Sequence, residues 1–201
     1  MAMALVAASC GGGGGHGGLI LEKASTTVST KSSAGSALGA SELERLLVAP
    51  PPPYAQISDS ELGTGLMEVG NPRSGTIGIG WAQEPDLTKA GMQRGWEKAF
   101  RAPDRATVLD HVFEFRTTDG PTGLLPKYQS SVERSYQKFD VAGVPGAVEF
   151  LGTSPEGRTV VISEAAHGRF LFGGLVGGPP GAHPYRELLE SLMRQQVAAL
   201  H

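Results

Sequence analysis

The sequence predicts an α+β fold, an antiparallel sheet of about five strands packed against helices. Three observations carry that expectation. Over 107–116 the side chains alternate, with Leu109, His111, Phe113 and Phe115 on one side and Asp110, Val112, Glu114 and Arg116 on the other, the period of two that a strand imposes. The runs 158–164 and 169–176 flank Ala166-His167-Gly168 and read as a hairpin. From Pro184 onward, Tyr185, Leu188, Leu189, Leu192, Met193 and Leu200 fall on one face of a helix.

The other elements follow in order. Ser41 and Glu44 form an S-x-x-E capping box, and Leu43, Leu46 and Leu47 supply a helical stripe that runs to Pro50. The prolines of 50–53 favour an extended polyproline segment. Pro51-Pro52-Pro53-Tyr54 also matches a P-P-x-Y ligand in form, but reads as a rigid entry strap. A short helical turn is expected over 86–92, ended at Gly91 or Gly95. A strand over 94–101 places Trp96 and Phe100 on one face, and Pro103-Asp104 makes a turn. The stretch 119–123 reads as a break before a helix that reaches about 137, with Leu125, Tyr128, Val132 and Tyr136 buried and Pro126 in its first turn. A short strand follows over 147–151. There is no alternation of βα units and no G-x-G-x-x-G, which argues against a nucleotide-binding Rossmann domain.

The 201 residues include 40% apolar and 18% charged side chains, enough for a core and too apolar for a disordered chain. Seventeen basic and twenty acidic residues give a net charge of −3 and form no basic block, so no nucleic-acid partner is expected. The single cysteine, Cys10, can form no internal disulfide and lacks the companions of a structural zinc site. It ends the small apolar run Ala4-Leu5-Val6-Ala7-Ala8-Ser9 and is followed by five glycines. This run resembles the lipobox of bacterial lipoproteins, with Ala7 standing where that family prefers Leu. The resemblance implies a lipid on the Cys10 thiol, a membrane partner through that lipid, and a place on the outer face of a cell membrane. Only nine residues precede Cys10, with no Lys or Arg among them, so 1–10 reads as a truncated signal and lipobox. Residues 11–36 read as a Gly/Ser/Thr leash, which as a random coil would span roughly 25–30 Å. Within it Leu19-Ile20-Leu21 reads as a leftover apolar triplet. Residues 37–201 are left as one α+β domain.

Pro52-Pro53-Tyr54, the stretch 59–65, Gln93-Arg94-Gly95-Trp96 and Val144-Pro145-Gly146-Ala147 follow a recurring order. In this the chain resembles the small secreted lipoproteins of high-GC Gram-positive bacteria, some of which are similar to PsbP-like domains. The resemblance covers 38–200 and implies an antiparallel sheet sandwiched by helices. It carries no active-site residue.

Candidate chemistry is sparse. His16, His111, His167, His183 and His201 form no H-x-x-x-H or H-x-H pair, so no metal site or cofactor is expected. Only His111 lies on the apolar face of a strand; it reads as a hydrogen-bonded core histidine, with a general base as the rival. Asp110 and Glu114 stand roughly 13 Å apart along one strand, beyond the roughly 5–9.5 Å of glycosidase pairs, and read as a solvated face. G-x-S-x-G is absent, and neither Ser74 nor Ser163 has a forced partner. Gly173, Gly174, Gly177 and Gly178 bracket Leu175-Val176 in what should be a strand, where glycine asks for a reason. Close helix packing is one reason. A ligand cleft beside the helix from Pro184 is the other. The leading expectation is a membrane-tethered extracytoplasmic binding or accessory domain, taking a protein or a small apolar ligand. The alternative is a small secreted hydrolase with a site near His111, which needs that histidine exposed in a concave pocket.

Overall fold

The computed structural model describes residues 36–62, 64–68 and 84–200. Cys10, the stretch 11–35 with His16 and Leu19-Ile20-Leu21, Ser74, His201 and the side chain of His183 lie outside the described residues.

In chain order the elements are α1 (Ala40–Glu44), β1 (Ala55–Gln56), α2 (Asp59–Leu62), β2 (Gly65–Glu68), α3 (Glu84–Lys89), β3 (Met92–Arg101), β4 (Thr107–Phe115), α4 (Asp119–Val132), β5 (Gln137–Asp140), β6 (Val148–Thr153), β7 (Thr159–His167), β8 (Phe170–Gly178) and α5 (Ala182–Ala199). The described fold is mixed helix and antiparallel sheet, as expected, but the sheet has eight strands and not about five. Its order is β1-β3-β4-β8-β7-β6-β5, with β2 also paired to β3. The unexpected strands β1, β2 and β5 are two, four and four residues long. Pieces that short leave too few alternations to stand out in a sequence.

β4 lies near the middle, between β3 and β8. Its apolar side, with Phe113 and Phe115, packs with Leu124, Leu125, Tyr128 and Val132 of α4 and with Phe150 and Leu171. Its other side is covered twice. Leu43 and Leu47 join Val112, Phe172 and Met193, while Tyr185, Leu189 and Leu192 of α5 pack on Val108, Val161 and Val176. Each of those large buried side chains contributes about 1.5–3 kcal/mol by leaving water. Helices therefore cover both faces, and this corrects the expectation for Asp110 and Glu114. Neither is solvated: they are 1% and 0% exposed.

Three local expectations also change. The strand ends before 119–123 as expected, at Phe115, but that stretch already opens α4, since Pro121 falls in a first turn whose N–H groups have no helical partner. Gly120 is needed there, because a Cβ would lie 2.7 Å from the Phe115 ring. Pro126 sits inside the helix, and α4 ends at Val132, leaving room for β5. The first helix starts two residues earlier than the Ser41 box implies. Gly39 is its N-cap, and the Glu42 carboxylate accepts the Gly39 N–H at 2.6 Å. The proline run is a turn closed by the Tyr54 N–H on the Pro51 carbonyl at 3.3 Å, not a straight extended segment.

Candidate functional site

His111 is 3% exposed, among the α4-side core. In the registers of β3, β4, β8 and β7 it lies in one cross-sheet row with Glu97, Gly173 and Glu164. His111 Nε2 and Glu164 Oε2 are 3.1 Å apart, although β8 runs between their strands. Gly173 makes this reach feasible. A Cβ there would collide with the Ser163 carbonyl oxygen and lie 2.9 Å from Glu164 Oε2. The Phe113 ring sits 5.1 Å from the imidazole.

The electrostatics follow from this enclosure. Burial opposes the charge on His111, but Glu164, Glu97 and Asp110 outweigh it and hold its pKa above the ordinary value. Burial pushes Glu164 up as well, against the pull of His111. Tyr128 of α4 is driven well above the ordinary phenol range, first by burial and then by the nearby Glu164. The pair can hold a proton, but a general base must reach its substrate. Buried beside the Phe113 ring, His111 fails the exposure that the hydrolase reading requires.

The opposite face carries three more buried carboxylates, each with a separate task. Glu114 accepts the Leu38 N–H through both oxygens at 3.0 and 3.1 Å and pairs with Arg169 at 2.7 Å. Arg169 also donates to the Ser36 carbonyl at 2.7 Å, and Arg94 to the Leu38 carbonyl at 2.8 Å. Asp110 accepts the Val48 N–H at 3.0 Å and the Gln196 amide at 2.8 Å. Burial pushes the Asp110 carboxyl up to about 7, while these donors, His111 and Lys98 pull the other way. Lys98 meanwhile pairs with Glu44 at 2.9 Å. Together these groups fasten 36–48 across β3, β4 and β8 by its backbone. Glu149 pairs with Arg186 of α5, whose guanidinium stacks 4.1 Å from the Phe139 ring centre. Burial holds Glu149 above its usual range, with Arg186 opposing.

The four glycines do not share one surface. Gly174 and Gly178 face α5, where a Cβ would lie 3.1 Å from Leu189 Cδ2 in the first case and against the Tyr185 hydroxyl in the second. Gly173 and Gly177 alternate to the other face. Gly173 serves the His111–Glu164 reach, and a Cβ at Gly177 would meet only Leu175 Cδ2 at 3.9 Å. His167 ends β7 at the hairpin. Sequence reasoning missed Glu164 as the partner of His111, and also Arg94 and Arg169. The available signal was that a histidine on an apolar strand face needs a partner. Finding which one takes the strand registers.

Among the described residues no cluster of His, Cys, Asp or Glu is arranged to hold a metal ion, and no helix is long and apolar enough to cross a membrane. A depression of about 480 Å³ opens between Thr88, Gly91, Met92, Gln93, Arg94 and Arg116.

No family model matches the chain, and no curated relative matches it in sequence. Among solved structures it is similar to the extracellular domain of PknH from Mycobacterium tuberculosis, with a TM-score of 0.56 and 11% identity. The match covers 81% of this chain and 98% of that one. At that identity the likeness is one of fold.

Proposed function

We propose that the chain is an extracytoplasmic binding or accessory domain, held at a cell membrane by a lipid on Cys10. The observation that carries this reading is the fold, which over 81% of this chain matches 98% of a domain described as extracellular. The small-residue run Ala7-Ala8-Ser9-Cys10 with its five following glycines supports the anchor. The order of Pro52-Pro53-Tyr54, Gln93-Arg94-Gly95-Trp96 and Val144-Pro145-Gly146-Ala147 supports kinship with small lipoproteins that carry a PsbP-like sandwich. In this reading the domain works by binding a protein or a small apolar ligand. His111, being buried, does not supply an accessible general base.

Phase partition tests the anchor. Expressed in a high-GC Gram-positive host behind a complete signal, the chain should enter the detergent phase, and Cys10→Ser should send it to the aqueous phase. Both forms remaining in the aqueous phase would sink the lipid anchor.

A further inference from the structure

We propose that the corner of the domain at Arg94 and Arg116 is a membrane-contact surface, whose depression takes the phosphate of an anionic lipid headgroup. The inference rests on the tethered reading and names the surface that the tether presents.

Charge comes first. Glu114 sits directly opposite Arg94 in the β3–β4 register, but Arg169 and the Leu38 N–H already occupy its carboxylate. Arg94 is left bonded to a peptide carbonyl alone, and its Nε, shielded from water, has no hydrogen-bond partner among the described residues. A buried donor without a partner asks for an explanation such as a missing ion or ligand. Arg116 is exposed; its backbone N–H is fixed on the Gly91 carbonyl at 2.9 Å, while its guanidinium has no ion pair or hydrogen bond among the described residues. Both arginines line the same depression, and its volume of about 480 Å³ admits a headgroup. Lys89, in the last turn of α3, adds a third cation. Glu68, opposite Arg94 across β2 and β3, and Asp86 on α3 form no ion pair with either arginine. Two guanidinia around one opening suit a phosphate, which the exposed Arg116 can grip through two N–H groups while Arg94 adds its charge.

Position comes second. Arg169 holds the Ser36 carbonyl and Arg94 holds that of Leu38. The chain coming from Cys10 therefore joins the described domain at this same corner. A lipid on Cys10 would keep the domain within reach of a membrane, and each basic side chain near an anionic surface adds attraction.

The test uses the full chain carrying Cys10→Ser, so that no lipid contributes and the anchor is judged separately by phase partition. Its sedimentation is measured with vesicles of phosphatidylcholine alone and with about 30% phosphatidylglycerol added, an anionic surface of the kind that attracts basic patches. The anionic vesicles should bind about tenfold more strongly, and Arg116→Glu should remove most of that gain. Arg134→Glu makes the same charge change just past the C-terminal end of α4, whose 14 residues span about 20 Å, and should change little. Equal binding to both vesicles, or equal loss in the two variants, overturns the proposal. So does saturable binding of inorganic phosphate with no vesicle binding, which would make the depression a site for free phosphate.

Discussion

His111 reaches Glu164 across a strand to which neither belongs, and the gap it crosses is the missing side chain of Gly173. Three strands are thereby tied through side chains as well as through their backbone ladders. The remaining groups of the row, Glu97 and Glu164, are 1% and 0% exposed. Buried charge of this kind stabilises only while its partners stay in place.

Gly173→Ala should be costly for that reason. The new Cβ meets backbone on β7, which cannot swing aside as a side-chain tip would. A loss of roughly 2–4 kcal/mol is expected. Gly177→Ala, on the same strand with only a 3.9 Å contact, should stay within about 0.5 kcal/mol of the parent. Denaturant unfolding of both variants checks the pair, and equal stability of the two would show that Gly173 is not a spacer.

Gly174→Val enters the contact with α5. Leu109 O lies 2.7 Å from the Cβ position and Leu189 Cδ2 at 3.1 Å, so the helix must move outward. The expected cost is about 1–3 kcal/mol, read as a lower melting temperature. A variant as stable as the parent would argue against helix packing as the reason for this glycine.

The domain should be more stable in mild acid than in mild base. Asp110, Glu149 and Glu164 all have folded pKa values above their unfolded ones, so the folded state keeps protons that the unfolded chain has released. Stability then falls as pH rises from the ordinary carboxylate range toward the value of about 7 for Asp110. His111 acts with the same sign: its contribution is complete below the ordinary histidine value and is lost as pH rises through its raised one. The melting temperature should be higher at about pH 5 than at about pH 8, by an amount worth a few kcal/mol in all. A higher value in base would contradict this account of the buried carboxylates.

Glu114→Gln should loosen the entry segment. The substitution leaves Arg169 beside a neutral group and removes one of the two oxygens that accept the Leu38 N–H. A cost of about 2–4 kcal/mol is expected, since a buried pair loses one partner. Hydrogen exchange at the Leu38 amide should accelerate more than at Val48, which Asp110 holds independently. Equal acceleration at both would mean that 36–48 opens as one piece.

Much of the fold was legible in the sequence, and for identifiable reasons. β4, the β7–β8 hairpin and α5 are long and carry many repeats of their period, so the hairpin was found and Phe113 and Leu189 fell on correct faces. Asp110 and Glu114 were misread because a polar strand face looks the same whether water or a second helical layer covers it. Only the tertiary position of α1 and α5 separates those cases. The start of α4 was misread because Gly120 and Pro121 are breakers in a helix interior yet tolerated in its first turn. At the candidate site, His111 was identified as a core histidine in need of a partner. Glu164 could not be named, since it depends on a register spanning three strands. The four glycines looked like one feature in the sequence, but a period of two sends them to opposite faces.

The fastening of Ser36 and Leu38 also has a mechanical meaning. A pull arriving along the chain from its N-terminal side meets Arg169, Glu114 and Arg94 before it reaches α1. These three side chains stand on or beside the neighbouring strands β8, β4 and β3. Load is thus divided among parallel bonds rooted in the centre of the sheet, which must rupture together, and α1 does not unwind turn by turn.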